Sequence, residues 1–180
     1  MFSKQNVDLE HVYIDGTKIS ANANKYSWVW KKSCVKNRDK TFTKVTVILS
    51  EMNKTIISHG LKFGTRSEYA IEYLEETAEQ YVSLTCIEPE KAIRGRGHHK
   101  SHEMRLYDRL WECIEKLKKY SKHIQICGDE RNSYSKTDAD ATFMRMKRDY
   151  MGNDQLLPGY NVQIGVCDEY VAIFDVKRYA

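Results

Sequence analysis

Apolar residues recur at two different spacings along the chain, and these spacings predict strands at both ends and helices in the middle. Residues 10–19 alternate between two faces, as in a strand, and place Asp15 among apolar neighbours. A second extended piece covers 26–30, and the asparagines between the two pieces suit a turn. We therefore expect a hairpin-like unit that ends at the Lys-Lys-Ser sequence of 31–33.

The middle of the chain has the helical spacing of three and four residues. Apolar positions over 40–59 fall on one helical stripe, and Gly60 suits the left-handed residue that follows a helix. Thr65 and Glu68 match a capping box, in which an N-cap hydroxyl and a glutamate three residues later satisfy free N–H groups. The sequence therefore predicts a second helix over 67–84.

A polar, glycine-containing link over 88–101 separates this helix from the longest one, which we predict over 102–126 and which Gly128 closes. The pattern then changes to period two. The run 160–166 alternates, whereas 170–176 is more continuously apolar, which is typical of a strand covered on both faces. Because the connection between these two runs is short, they predict an antiparallel hairpin.

Composition narrows the class of protein. A chain of 180 residues with 41% apolar residues and only two prolines is typical of a folded protein with one domain, with room for an insertion. The five cysteines include no CxxC pair, so neither a zinc ribbon nor a redox pair is indicated. There is no apolar run long enough to span a membrane and no signal-like N-terminus, so we expect a soluble, cytoplasmic protein.

Asp15 is the leading candidate for chemistry. Carboxylates inside apolar strands are rare unless they are paired or bind a metal. A divalent ion that activates water or a hydroxyl for attack on phosphate needs oxygen ligands on a rigid element, and Gly16 leaves space beside such a ligand. The alternative is a structural aspartate at a bulge or turn. Asp175 occupies a similar place in the last predicted strand, where we expect a structural or surface role.

Two cationic segments are candidates for contact with a DNA backbone, with a solvated linker as the alternative for the first and packing of the apolar members for the second. The first contains a histidine cluster (His98, His99, His102) and the cations Arg94, Arg96 and Lys100. The second interleaves cations with Phe143 and Met144; its cations are Lys136, Arg145, Lys147 and Arg148. The net charge of +4 adds little to the argument.

Two long runs resemble DDE-type transposases of bacterial insertion sequences. VYIDGTKISANANKYSWVWKKS at 12–33 resembles their first catalytic block, and ICGDERNSYSKTDADATFMRMKRDYMGNDQLLPGYNVQIGVCDEYVAIFDVKRYA at 126–180 resembles the block that follows. The helical region between them resembles the insertion of these proteins. The resemblance implies an α+β fold with a partial ribonuclease-H-like sheet, its first strand and a later antiparallel hairpin interrupted by a helical insertion. The implied parts are the strands of the first catalytic block at 1–33, the helical insertion at 34–128, and a linker with the antiparallel hairpin at 129–180.

The resemblance also implies a reaction. Three acidic residues of that family bind two divalent ions, Mg²⁺ or Mn²⁺, which activate water and then a DNA 3′-hydroxyl for attack on phosphodiesters. Only Asp15 matches this triad, so we expect a truncated fragment that is inactive alone, binds metal weakly and exposes strand edges. The implied partners are transposon-end DNA, a second copy or a full-length transposase, and no membrane.

Two other functions fit the same sequence. The first is a regulatory module whose helices at 67–84 and 102–126 dimerise or pair with a full-length transposase. The second is plain DNA binding through the basic segments at 94–102 and 136–148, which would depend strongly on salt.

Overall fold

The chain divides into a sheet unit and a helical unit, and each has its own contacts. A computed structural model describes residues 11–91, 99–146, 152, 155–167 and 170–177. Met1–Lys32 and Gln125–Ala180 form the sheet unit, and Ser33–Ile124 form the helical unit. Helices and antiparallel strands are both present, so the expected α+β class is confirmed.

The sheet unit contains a four-stranded main sheet and a separate two-stranded ribbon. The main sheet consists of β1 (Tyr13–Ser20), β4 (Thr142–Arg145), β5 (Leu156–Cys167) and β6 (Tyr170–Lys177). All its pairs are antiparallel; β1 lies along one edge of β5, and β4 and β6 follow one another along the other edge. The ribbon pairs β2 (Trp28–Trp30) with β3 (Ser133–Ser135).

The predicted C-terminal hairpin is confirmed, but its second strand is not covered. β5 and β6 pair antiparallel, with Ile164 opposite Phe174 and a register shift between Gly165 and Val166. Most side chains of β6 are exposed, so the expectation of a strand covered on both faces is wrong. A run of apolar residues makes burial of a strand favourable, but it does not show that another part of the protein covers that strand.

The expected hairpin over 10–30 is also wrong, because its two strands belong to different sheets. β1 pairs with β5, and β2 pairs with β3. Hydrogen bonds hold the connection between them against residues more than 100 positions later: the Asn24 N–H donates to Thr137 Oγ1 (2.9 Å), and the Lys136 N–H donates to the Ser27 carbonyl (2.9 Å). Such distant partners leave no local sequence signal.

The described residues of the helical unit form three α-helices, α1 (Lys31–Thr55), α2 (Ile71–Thr85) and α3 (His102–Cys127), and two short 3-10 helices at Ile57–His59 and Pro89–Lys91. The first and last α-helices extend a few residues beyond the unit. α1 begins nine residues earlier than the 40–59 prediction, and α3 agrees with 102–126 to within one residue. Gly60 and Gly128 have positive φ, as expected of residues that end helices (67° and 60°). The stripes of the three helices meet in one core that includes Val45, Leu49, Met52, Leu74, Tyr81, Leu110 and Ile114.

The predicted capping box is not formed, because α2 begins at Ile71 after an N-cap, Ala70, that makes no side-chain hydrogen bond. The residues before it are held in a non-helical path by core side chains. The Tyr69 hydroxyl bonds Thr46 Oγ1 (2.8 Å) and accepts from the Arg66 N–H (2.9 Å). Tyr69 is itself buried, and its burial outweighs the modest energy of a cap.

Two glycines of the main sheet meet different neighbours. A Cβ on Gly159 would lie 2.7 Å from the carbonyl oxygen of Ile19, a backbone atom of β1. A Cβ on Gly16 would lie 2.6 Å from Gln163 Nε2, the mobile end of a long side chain. The space that we expected beside Gly16 is therefore filled by Gln163, and only Gly159 is fixed by close approach of the backbone.

We predict that Gly159→Ala lowers the free energy of unfolding by about 1–3 kcal/mol, because β1 would have to move away from β5. Gly16→Ala is the matched control: Gln163 can rotate, so its cost should be clearly smaller. Urea unfolding followed by circular dichroism measures both. Equal losses in the two variants would contradict the assignment of Gly159 to the β1–β5 contact.

Candidate functional site

Asp15 lies near the middle of β1, opposite Ile164 of β5, which in turn lies opposite Phe174 of β6. Directly paired residues of antiparallel strands point to the same face, so Asp15 and these apolar residues share one face of the main sheet. The side chain of Asp15 is exposed, and so are its neighbours Tyr13 and Ile14. Asp15 is therefore accessible to a ligand and is not a buried carboxylate.

Asp175 lies on the opposite face from Asp15. It pairs with Gln163, which pairs with Gly16, the residue after Asp15, and successive residues of a strand point to opposite faces. The Lys177 Nζ lies 3.7 Å from the Asp175 carboxylate. The sheet thus separates the two carboxylates, and the structural or surface role of Asp175 stays a prediction.

The residues present do not fit a two-metal centre. Among the described residues, no group of three or more histidines, cysteines, aspartates or glutamates has the geometry to hold a metal ion. His99 and His102 are exposed and join no such group, and His98 lies outside the described residues. In this part of the chain Asp15 joins no such group, and two ions about 4 Å apart need several carboxylates.

The predicted cationic segments are only partly described. Arg94, Arg96, Lys147 and Arg148 lie outside the described residues. Lys100 belongs to the helical unit, where its Nζ pairs with the Asp108 carboxylate, so its charge is compensated locally. Lys136 and Arg145 are exposed in the sheet unit. The Lys18 Nζ donates to the Arg145 carbonyl (3.0 Å), which adds a third cation to this region.

The apolar residues of the second cationic segment are part of the core of the sheet unit. Phe143 and Met144 on β4 are both buried. The alternative that they pack into the sheet is therefore the correct one, and they are not available to a ligand.

The ribbon carries a feature that sequence reasoning missed. Between Asp15 and the end of the sheet unit's first segment, residues 16–32 contain four basic residues and no acidic one. The same holds for 131–137, with Arg131 and Lys136. Both segments meet in the β2–β3 pair. The sequence shows both segments, but only the pairing shows that they lie together. Asp129, Glu130 and Asp138 border the second segment, and the Lys31 Nζ lies 3.7 Å from the Asp129 carboxylate.

A second missed interaction fixes the loop before β4. The Tyr160 hydroxyl donates to Asp138 Oδ2, while Asp138 Oδ1 accepts from the N–H groups of Asp140 (3.1 Å) and Ala141 (3.3 Å). These donors favour the charged form and hold the pKa of Asp138 below its usual value, with the Tyr160 hydroxyl as the main cause. The aspartate thereby ties the loop to the middle of β5.

We predict that Tyr160→Phe lowers the free energy of unfolding by about 1 kcal/mol at neutral pH, since solvent weakens a charge-assisted bond at a partly exposed site. A lowered folded pKa contributes stability above the unfolded pKa of about 3.9, and this stability is lost as the pH falls through the folded pKa. The difference from the unmodified protein should therefore shrink below about pH 4.

Urea unfolding at pH 7 and pH 3 measures this difference. Tyr170→Phe is the control, because among the described residues its hydroxyl has no hydrogen-bond partner. A Tyr160→Phe penalty that is the same at both pH values would show that the loss comes from packing and not from the Asp138 charge.

No protein-family model, curated protein or solved structure matches the chain. No helix in the described part of the chain is long and apolar enough to cross a membrane. The function must therefore be inferred from the residues of the protein itself and from the resemblance that they carry.

Proposed function

We propose that the protein is part of the ribonuclease-H-like catalytic domain of a DDE-type transposase of a bacterial insertion sequence, and that Asp15 is its first metal-binding carboxylate. The observation that carries the proposal is the setting of Asp15. It lies on a regular strand, its carboxylate is exposed, and the surrounding sequence at 12–33 resembles the first catalytic block of that family. A rigid, accessible oxygen ligand is what metal-assisted phosphodiester chemistry requires.

The topology is compatible with this proposal. β1, β5 and β6 are neighbours in the main sheet and antiparallel throughout, in the order that the resemblance implies for a first strand and a following hairpin. The helical unit falls between β1 and β5 in the chain, where the family carries its insertion. Topology of this kind occurs in unrelated proteins, so it supports the proposal less strongly than the sequence around Asp15 does.

On this proposal, the substrate is DNA and the protein is cytoplasmic. Full-length members of the family use Mg²⁺ or Mn²⁺ to activate the attacking oxygen. Asp175 lies on the other face from Asp15, and the described residues form no group of three or more side chains that could hold a metal ion. We therefore expect this chain to hold a divalent ion only weakly and to leave DNA uncut by itself.

The metal-binding role of Asp15 can be tested with Mn²⁺, which broadens the NMR signals of nearby nuclei. We predict that millimolar Mn²⁺ broadens signals of residues 13–17 and 162–166 and that Asp15→Asn abolishes this effect, because the carboxylate is the ligand. Asp175→Asn is the matched control: it removes a strand carboxylate of the other face and should leave the broadening near Asp15 unchanged.

Two results would contradict the proposal. Broadening that persists in Asp15→Asn would remove the metal-binding role of Asp15. Cleavage of transposon-end DNA by the chain in Mg²⁺ or Mn²⁺, lost in Asp15→Ala, would keep that role but overturn the claim that the chain is inactive alone.

A non-catalytic DNA-binding module is the second candidate, and two exposed cations of the sheet unit favour it. Lys136 and Arg145 are both exposed. Exposed cations attract the phosphates of a polyanion, whatever chemistry follows.

We predict that Lys136→Ala weakens binding to duplex DNA and reduces the slope of log K against log salt concentration by about one, as expected when one phosphate contact is lost. Lys119→Ala is the control, since Lys119 is an exposed lysine of α3 in the helical unit. Fluorescence anisotropy at several salt concentrations measures both. A slope that Lys136→Ala leaves unchanged would exclude this lysine from the DNA surface.

A further inference from the structure

Exposed aromatic side chains follow one another over residues 26–30. Tyr26 is 76% exposed, Trp28 42% and Trp30 37%, whereas Val29 between the tryptophans is buried. The two tryptophans lie on the same side of β2, because residues two apart in a strand share a face. Tryptophan usually buries most of its surface, so two neighbouring exposed ones call for an explanation. We call Tyr26, Trp28 and Trp30 the aromatic surface.

The tryptophans of this surface are supported from below. The Trp28 ring lies 5.0 Å from the ring of Phe143 and 5.4 Å from that of Trp30, measured between centroids. Phe143 is buried, so Trp28 is anchored to the core while part of its ring remains accessible. The Trp28 ring is tilted by 53° against the Trp30 ring and by 49° against the Phe143 ring, and tilted pairs are a favourable aromatic geometry.

The loop that carries Tyr26 is held by its own hydrogen bonds. The Tyr26 N–H donates to Asn24 Oδ1 (2.9 Å), and the Ser27 hydroxyl donates to the Asn24 carbonyl (2.9 Å). The Asn24 N–H donates to Thr137 Oγ1 (2.9 Å), which ties the loop to the strand β3 region. A ligand that stacks on Tyr26 would not have to order this loop first, so less binding energy would be lost.

Two exposed lysines lie beside the aromatic surface. The Lys25 Nζ lies 5.2 Å from the centroid of the Tyr26 ring, and Lys136 is exposed directly after β3. The nearby Asp138 carboxylate accepts hydrogen bonds from the Tyr160 hydroxyl and from two backbone N–H groups. An apolar peptide gains nothing from these charges, whereas a polyanion with flat, apolar bases is attracted to both the cations and the rings.

Arg131 adds a buried positive charge two residues before β3. Its Nη2 donates to the Ile126 carbonyl (2.6 Å), and its Nη1 has no hydrogen-bond partner. Within the described ranges, no carboxylate pairs with this guanidinium. The guanidinium therefore makes the local potential more positive, in the direction that favours phosphate.

We propose that the aromatic surface binds unpaired bases of single-stranded DNA by stacking, with Lys25 and Lys136 contacting the adjacent phosphates. This inference rests on the DNA-directed function proposed above and specifies the form of DNA. Every base has a π-face, so stacking on exposed rings tolerates any sequence, but in a duplex these faces are hidden between neighbouring base pairs. The surface thus distinguishes single strands from duplex.

The tryptophan content of the chain allows a direct measurement. Of the three tryptophans, only Trp111 lies outside the aromatic surface, on α3 of the helical unit. In the Trp111→Phe variant of the full chain, all tryptophan emission comes from Trp28 and Trp30. We predict that a single-stranded oligothymidylate of about 12 nucleotides quenches this emission, and that a duplex of similar length quenches it far less.

Substitutions separate stacking from charge. Tyr26→Ala and Trp30→Ala should each weaken single-strand binding about tenfold, whereas Tyr26→Phe keeps the ring and should keep the affinity. Tyr170→Ala is the control, since Tyr170 is an aromatic residue of β6 that is 40% exposed and follows two acidic residues in the sequence. Because Tyr26 is largely exposed, its replacement tests the proposal even if Trp30→Ala fails to fold.

The outcomes are distinct. Quenching by single strands that Tyr26→Ala weakens and Tyr26→Phe preserves would support the proposal. Equal binding of duplex and single strand, unchanged by Tyr26→Ala, would overturn it while leaving DNA binding intact. Failure of both DNA forms to bind at low salt would overturn it together with the DNA-binding part of the proposed function.

Discussion

Backbone pairing along β5 is the interaction on which the sheet unit depends. This strand bonds β1 on one edge and β4 and β6 on the other, so it joins residues 13–20 to partners 139–153 positions later. Closing so long a loop has an entropic cost, which many ladder hydrogen bonds together must offset. The register of these ladders decides which face each side chain occupies. Without this register, Asp15 would not be exposed on one face of the sheet with Asp175 on the other.

Local patterns predicted the parts of the fold that local interactions form. The apolar stripe of α3 and the short connection between β5 and β6 were both predicted, because each depends on residues close in sequence. The partner of β1 and the ribbon were not predicted, since β3 is the triplet Ser-Tyr-Ser and its paired residues lie 103–107 positions earlier. The capping box at Thr65 failed for a related reason: burial of Tyr69 set the start of α2.

The candidate site divides in the same way. The sequence could single out Asp15 by its neighbours and by its resemblance to a catalytic block, because residue identity is what a sequence records. It could not tell that Gln163 fills the space beside Gly16, or that the sheet lies between Asp15 and Asp175, because both depend on the β1–β5–β6 register. The aromatic surface was not predicted for a further reason: packing, and not composition, decides whether a tryptophan is exposed.

The face that carries Asp15 combines two features: its apolar residues are exposed, and its described residues form no group of metal ligands. It leaves apolar residues such as Tyr13, Phe174 and Val176 exposed on β1 and β6, and each of these strands pairs along only one edge within the described ranges. Among the described residues, no group of three possible ligands forms on this face, and two ions need several. Exposed apolar strands favour association with another protein surface. On the proposed function, a protein surface that covered this face would also bring its own carboxylates close to Asp15. Burial of the apolar residues and completion of the metal site would then be one event, and the affinity for metal would depend on that association.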